Sequence, residues 1–387
     1  MPNMNTNLSP EELARYSRQI IIPDISYSGQ LALKNASALI VGCGGLGSII
    51  SMYLAAAGFG RLGIVDFDRL DLSNLHRQVL YKTRDIGKVK VEIAGRYLRE
   101  LNPECQIDGY EEIFSSKNAE KISAPYQMII DGTDNIPSRY LLNDVSVLTR
   151  KPYIFGSVYR FSGQAGVFDS TKGACYRCAF PNPPHPGSIP PCSVAGVAGV
   201  TPGLIGLIQA SEAIKLVTGI GSPLISRILF YDGLDNTQYI VQVPKDPRCK
   251  ICGETAEIKQ LIDYEDFCKT TYRNELLGSV ADPGKISPAE MKTLLANKSD
   301  TRIVDLREPV ELRIFSFPGS ENVQFQNLSA EMKKWDKSQP IILVCHIGFF
   351  SSLAKDLLVE EGFSNVRNLD GGIRAWMREF SPPSAIC

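Results

Sequence analysis

Short apolar runs recur through the first two-thirds of the chain, and between them apolar positions repeat at helical spacing. Ala38–Val41, Leu62–Val65, Met128–Ile130 and Tyr153–Phe155 are unbroken runs of the kind that form strands buried on both faces. Ser48–Ala57 and Val89–Leu101 read as helices; Gly58 is placed to cap the first, and Asn102-Pro103 ends the second. Strands alternating with helices predict a mostly parallel sheet with helices on both faces. Past Gly163 the pattern changes. Gln164–Phe168 and Gln238–Val243 alternate as antiparallel strands do. Pro181–Pro191 holds too many prolines for helix or central strand, and Gly203–Thr218 is an apolar helix stopped by Gly219.

From Gly253 to about Lys285 the periodicity weakens, and Ala281-Asp282-Pro283-Gly284 reads as a linker. Strands return at Arg302–Asp305 and Ile341–Val344, and Ser351–Glu361 is a helix capped by Gly362. A chain of 387 residues exceeds one ordinary core. The expected fold is α/β: a Rossmann-like domain with a mixed sheet over residues 1–265, a linker over 266–285, and a smaller α/β domain over 286–387.

Composition narrows the function. Hydrophobic residues make up 44% and charged residues 21%, an ordinary globular balance. A net charge of -1 gives no electrostatic case for nucleic acid or an anionic membrane surface. No apolar run approaches a membrane span, and Met1–Glu12 lacks the basic-then-apolar order of a signal peptide, so a soluble cytoplasmic chain is expected. In that reducing compartment ten cysteines point to metal binding or thiol chemistry rather than disulfides.

The run Ala38–Val41 leads into Gly42-Cys43-Gly44-Gly45-Leu46-Gly47, a G-x-G-x-x-G pattern between a strand and a helix. Glycines there let main-chain N–H groups approach phosphate, and the helix N-terminus adds partial positive charge. Asp66 follows at about 20 residues, the spacing of an acid that binds ribose hydroxyls. A nicotinamide-dependent dehydrogenase would use the same loop and acid, and a tight strand–helix turn needs no ligand at all. Four further stretches bear on the choice. Asp66-Phe67-Asp68 closes a strand, and Ser73-Asn74-Leu75-His76-Arg77-Gln78 brings polar and cationic groups after it. Lys90 opens the next helix, and Asp131-Gly132-Thr133-Asp134-Asn135 follows another strand. Hydride transfer has no need of Arg77, Lys90 and a second acid together. A triphosphate does, since cations neutralise its oxygens and Asp134 can hold octahedral Mg2+. Each charge alone reads equally well as a solvated surface group; their shared position at strand C-termini favours a nucleotide site.

Together with Arg15-Tyr16-Ser17-Arg18-Gln19-Ile20 and the helix Gly203–Thr218, these motifs run in order from Arg15 to about Cys252 and resemble the MoeB/ThiF group, homodimeric relatives of the ubiquitin-activating enzymes. The resemblance implies that ATP is bound and that the C-terminal glycine of a small ubiquitin-fold sulfur-carrier protein is adenylated. It implies contacts to ATP or its magnesium from Gly45, Asp66, Ser73, Asn74, Leu75, His76, Arg77, Lys90, Asp134 and Asn135. Gly42, Gly44, Gly47, Asp68 and Gln78 complete the candidate nucleotide site. Arg18 becomes an arginine finger reaching into the other subunit, which implies a homodimer. Attack of a carboxylate on the α-phosphate concentrates negative charge that Arg18, Arg77, Lys90 and Mg2+ would stabilise. No general base is required, because the nucleophile is already an anion at neutral pH.

Cys175-Tyr176-Arg177-Cys178 and Cys249-Lys250-Ile251-Cys252 are two C-x-x-C knuckles. Four thiolates so paired suit a closed tetrahedral Zn2+ site, with free thiols or a redox pair as the other reading; the resembling family carries the same pairs as a zinc site. Cys192 follows the proline-rich segment. Read by itself it is a small buried hydrophobe; the resemblance makes it a thiol able to link the carrier as thioester or persulfide. Ile341–Val344 delivers Cys345 into Cys345-His346-Ile347-Gly348-Phe349-Phe350-Ser351, a loop ahead of a helix, where N–H groups can surround sulfur and favour the thiolate. With Asp305-Leu306-Arg307-Glu308-Pro309 before it and Asp370-Gly371-Gly372-Ile373-Arg374-Ala375-Trp376 after it, residues 286–380 resemble a rhodanese domain. Many rhodaneses place an arginine near the loop's end, where this chain has Phe350. Loss of that cation points away from thiosulfate and toward a protein persulfide donor, such as a cysteine desulfurase.

The expected activity is adenylation of a Gly-Gly-tailed carrier followed by sulfur transfer from a Cys345 persulfide to give a thiocarboxylate. Its rivals are an NAD-dependent oxidoreductase with a rhodanese appendage, a non-catalytic carrier-binding scaffold, and an adenylating enzyme whose rhodanese domain is inactive. Molybdopterin, thiamine, tRNA-thiolation and cysteine pathways all remain open.

Overall fold

The computed structural model describes residues 6–183, 196–268, 284–296, 300–307, 309, 311–313, 315–345 and 348–380. The described residues up to 268 form one compact unit and those from 284 onward a second.

In the first unit, β1 (Ser37–Val41), β2 (Arg61–Val65), β3 (Gln106–Tyr110), β4 (Met128–Asp131) and β5 (Tyr153–Tyr159) run parallel. β6 (Ser162–Phe168), β7 (Arg227–Asp232) and β8 (Thr237–Gln242) extend the sheet antiparallel, in the order β3-β2-β1-β4-β5-β6-β7-β8. The unbroken apolar runs are explained by cover on both sides. Ala38 and Ile40 of β1 pack into one core cluster with Leu46, Ile50 and Leu54 of the helix Gly45–Ala57. Leu39 and Val41 pack into the other, with Leu141 and Val145 of the helix Ile136–Thr149. Successive side chains of the strand thus feed opposite faces. β8 differs: all six of its residues are exposed.

The helix Val200–Thr218 has the length and apolarity to cross a membrane, an exception to the expectation that no run approaches that size. It starts three residues before the predicted Gly203, with Pro202 tolerated in its first turn. In the fold it lies on β5, β6 and the helix Gly45–Ala57, with Ile205, Ala210 and Ala213 buried. The helix Tyr264–Cys268 straddles the expected boundary at 265 and buries Cys268 against the first unit's second cluster.

The second unit is an all-parallel sheet of β9 (Lys285–Ile286), β10 (Arg302–Asp305), β11 (Glu321–Asn322), β12 (Ile341–Val344) and β13 (Val366–Leu369), ordered β11-β10-β12-β13-β9. The same alternation holds. Ile341 and Leu343 belong to one cluster, Ile342 and Val344 to the other.

In the larger sheet the strand order reverses at β1, which opens a crevice at the C-terminal ends of β1 and β4. Three main chains meet there. Gly42, at φ +89, donates its N–H to Val65 O at 2.8 Å, and Gly132 donates to Val41 O at 2.8 Å. A Cβ on either Gly47 or Gly132 would overlap the Gly42 carbonyl oxygen. Gly44 is different, its Cβ position lying 3.6 Å from Gln78 Nε2. Gly47→Ala is therefore expected to destabilise the first unit by about 2–3 kcal/mol, read as a lower melting temperature, whereas Gly44→Ala should melt as the parent chain does.

Candidate functional site

The glycine loop opens the helix Gly45–Ala57, whose N-cap, Gly44, supplies no capping side chain. Main-chain N–H groups at that end are thus left for an anion. Tyr81 holds the loop from below, its hydroxyl donating to Cys43 O at 2.8 Å. The Cys43 thiol is buried, and burial pushes its pKa up to about 12.

Asp66, just past β2, accepts the Cys43 N–H on Oδ2 and the Asp68 N–H on Oδ1, both at 2.8 Å. Burial pushes its carboxyl up, against the pull of Lys90 and of those two N–H groups. Lys90 is itself 4% exposed and donates to Asp68 Oδ2 at 2.9 Å. The pair keeps a buried cation beside the loop without leaving it uncompensated.

Ser73–Gln78 begins as a short turn boxed by Asp71, which accepts from Ser73 N and Oγ while Asn74 Oδ1 accepts from Asp71 N. Arg77 donates to Ser73 O at 3.0 Å and lies 2.8 Å from His76 Nε2; burial and Arg77 hold the His76 pKa down. Leu75 packs against the core, and Gln78 is buried with no hydrogen-bond partner for Oε1 among the described residues. This segment overlies the loop, since a Cβ on Gly45 would stand 3.6 Å from Arg77 Cδ.

At the end of β4, Asp131 is fully buried and accepts from Thr133 N, Thr133 Oγ1 and the Tyr153 hydroxyl at 2.7–2.9 Å. Gln209 Nε2 donates to its carbonyl at 2.7 Å. These bonds fix the turn that presents Asp134, which is exposed. Asn135 caps the helix Ile136–Thr149, its Oδ1 accepting from Ser138 N at 2.9 Å. The sequence reading passed over Tyr81, Arg139, Tyr153 and Gln209. Only Arg139 carried a signal, as a cation near the start of a helix that an aspartate and an asparagine introduce.

Arg18 stands apart. Its neighbour Gln19 donates to Ala57 O at 3.0 Å and Arg15 to Leu101 O at 3.0 Å. Those carbonyls are the far ends of the helices whose N-termini carry Gly45 and Lys90. With 13 residues, the first of these helices separates Arg18 from its own glycine loop by about 20 Å.

The four knuckle sulfurs lie within 4.8 Å of one another, with Cys175–Cys249 at 3.6 Å and Cys178–Cys252 at 3.4 Å. Zinc–sulfur bonds near 2.3 Å require sulfurs about 3.8 Å apart in a tetrahedron, so the donor set fits that ion. Arg177 clamps the first knuckle to the helix Ile136–Thr149 through two 2.8 Å bonds to Asp144.

In the second unit Cys345 follows β12 and is 2% exposed. The helix Phe349–Glu360 begins two residues ahead of the predicted Ser351; Ser351 donates its N–H to Cys345 Sγ at 3.4 Å, and its hydroxyl, which donates to Gly348 O, lies 3.4 Å from the same sulfur. Phe350 packs on Phe325 with ring centroids 5.0 Å apart. Asp305 and Arg307 form a buried pair with Nη2 to Oδ2 at 2.7 Å. Cys192, His185 and His346, and most of the proline-rich segment, lie outside the described residues.

The first unit is thus a doubly wound nucleotide-binding domain with carboxylates and cations at its switch point, and the second presents a thiol cradled at a helix N-terminus. The ThiF family model matches residues 16–251, and the model of the rhodanese-like domain matches 287–379. The chain belongs to the ThiF family. It is 38% identical to the adenylyltransferase and sulfurtransferase MOCS3 of Aedes aegypti, over 99% of this chain and 91% of that one. It is 39% identical to the probable adenylyltransferase/sulfurtransferase MoeZ of Mycobacterium tuberculosis, over 97% and 95%. The sulfur carrier protein adenylyltransferase of Thermus thermophilus is 47% identical over 67% of this chain and 97% of its own length. Among solved structures, E. coli MccB with ATP superposes with a TM-score of 0.53 at 24% identity, covering 62% of this chain and 74% of that one, a likeness of fold.

The sulfur geometry yields a test. The parent chain is expected to carry about one equivalent of zinc and Cys249→Ser to lose most of it, measured by elemental analysis after exhaustive dialysis.

Proposed function

We propose that the chain is an ATP-dependent adenylyltransferase and sulfurtransferase acting on a small ubiquitin-fold sulfur carrier. The observation that carries the reading is the presence, on one chain, of an ordered nucleotide crevice and a cradled Cys345 thiol, in a sequence whose adenylyltransferase/sulfurtransferase relatives align along both units.

ATP binds with its phosphates on the glycine loop and its ribose toward Asp66. Asp134 is assigned the magnesium, an ion that neutralises phosphate oxygens and orients the α-phosphate when bound. The carrier's terminal carboxylate attacks the α-phosphorus and pyrophosphate leaves, so the new bond is the mixed anhydride of carrier and AMP. Arg77 and Lys90 stabilise the developing charge from the loop side. Arg18 of the partner subunit completes the site, a role supported by its distance from the loop of its own chain. Zinc on Cys175, Cys178, Cys249 and Cys252 is structural.

A persulfide on Cys345 then attacks the acyl carbon and expels AMP, giving an acyl disulfide. Cys192 is assigned the thiolate that attacks the Cys345 sulfur, forming a disulfide and releasing the thiocarboxylate, or else the thiol that links the carrier covalently. Ser351 supports the Cys345 thiolate by donating to its sulfur. Phe350, packed on Phe325, leaves the loop's end without a cation and favours a protein persulfide, as from a cysteine desulfurase, over thiosulfate. The reading places a homodimer in the cytoplasm, with the adenylating domain over 1–265, the linker over 266–285 and the rhodanese domain over 286–387.

One alternative has an observation behind it: the Thermus thermophilus relative aligns with only the first two-thirds of this chain, so adenylation stands without the second unit there. Cys345→Ala decides between them. It is expected to keep carrier-dependent ATP–pyrophosphate exchange and to abolish the gain of one sulfur in place of oxygen on the carrier, followed by mass spectrometry. Loss of exchange would contradict this division of labour. The shared site is tested by mixing two inactive variants, Arg18→Ala and Asp134→Asn. Random reassociation should restore about a quarter of the wild-type sites, and no recovery would place Arg18 in its own chain's site or in none.

A further inference from the structure

Every cation assigned to the adenylation step serves the nucleotide, yet the reaction joins two anions. The attacking carboxylate must be held against a triphosphate that repels it, and no group has been given that task. Arg139 has the properties the task requires. It is the fourth residue of the helix Ile136–Thr149, which starts next to Asp134. A cation there opposes the helix dipole, which favours anions at that end. Its side chain is 12% exposed and its guanidinium lies 5.7 Å from the centroid of the Phe155 ring. Nε is shielded from solvent and has no hydrogen-bond partner among the described residues. The nearby Asp131 does not supply one: its Oδ2 is 4.0 Å from Nε, and its two oxygens already accept from Thr133 and Tyr153. The fold thus keeps a largely buried cation at the end of β4, its Nε unmet among the described residues and its nearest carboxylate oxygen 4.0 Å away, an ion pair without a hydrogen bond. Such a cost is retained where an anion is to arrive.

The side of the crevice indicates which anion. Arg77 and Lys90 stand with the glycine loop, at the β1–β2 side. Arg139 stands at the β4–β5 side, between Asp131 and Phe155. A guanidinium is also a planar fork matched to the two oxygens of a carboxylate. We propose that Arg139 receives the terminal carboxylate of the carrier and orients it toward the α-phosphorus. The assignment rests on the adenylation reading and adds the group that binds its second substrate.

The test compares wild type with Arg139→Met and Arg139→Lys. The probes are a fluorescent ATP analogue and a Gly-Gly-terminated sulfur carrier that supports ATP–pyrophosphate exchange, prepared as free acid and as C-terminal amide. In the Met variant the affinity for the ATP analogue is expected to stay within about twofold, while the KM for the carrier rises about tenfold or more; Lys should recover part of it. Wild type is expected to bind the acid form more tightly than the amide, and the Met variant to bind the two alike. A residue with a merely structural role would leave that preference intact. Retention of the preference in the Met variant, or an equal fall in ATP affinity, would overturn the proposal. If the Met variant fails to fold, the Lys variant decides: a preference between wild type and none supports the assignment, and one equal to wild type overturns it. Absence of exchange with every Gly-Gly carrier in the wild-type chain would overturn the adenylation reading, and this assignment with it.

Discussion

The close approach of three main chains at the end of β1 and β4 governs the first unit. The Gly42 carbonyl is packed between Gly47 and Gly132, with no room for a Cβ on either. That contact binds the loop after β1, the helix it opens and the turn after β4 into one body. Everything else in the crevice is then attached to it by short bonds. Asp66 holds the Cys43 N–H, Tyr81 holds the Cys43 carbonyl, and Gln209 holds the Asp131 carbonyl. A phosphate site needs N–H groups fixed in advance, because donors that must be ordered on binding give up part of what they contribute.

The crevice also shows how buried charge is managed. Lys90 is compensated by Asp68, and the Asp66 carboxyl is tied to two main-chain N–H groups even as burial pushes its pKa up. Burial pushes Asp131 up as well, with Arg139, Tyr153 and Thr133 pulling the other way. Substrate anions therefore enter a region where most charges already have partners, and binding exchanges one oxygen for another around fixed cations.

The parallel core was legible because its strands are buried on both faces and read as unbroken apolar runs. β3, with Gln106 and Gly109 exposed at the sheet edge, gives no such run and was not read. β7 and the helix Ile136–Thr149 were also missed, the first because its half-buried residues follow no clear alternation, the second because Ser138, Arg139, Asn143 and Asp144 interrupt the apolar stripe. In the site, motif residues were legible as types but not as partners. Nothing in the sequence tells that Asn135 spends its side chain on a helix cap, or that Lys90 is held by Asp68. Tyr81 acts through one long-range bond and Gln209 through two, to the carbonyls of Asp131 and Ile154, and such bonds leave no local pattern. Cys345 was legible because strand, loop and helix are consecutive, so its surroundings are built from neighbours in sequence.

The knuckle cluster has a consequence for how the chain is made. Cys175 and Cys249 are 74 positions apart, and the segment between them contains the helix Val200–Thr218 and the hairpin of β7 and β8. Synthesis proceeds from the N-terminus, and the fourth sulfur, Cys252, emerges only after every strand of the larger sheet has been made. Closing so long a loop is entropically costly, and a cross-link that holds it closed counts most against the open chain. The four sulfurs can therefore meet only once β7 and β8 have been made, and a metal bound to them would keep the two ends of the segment that carries those strands together.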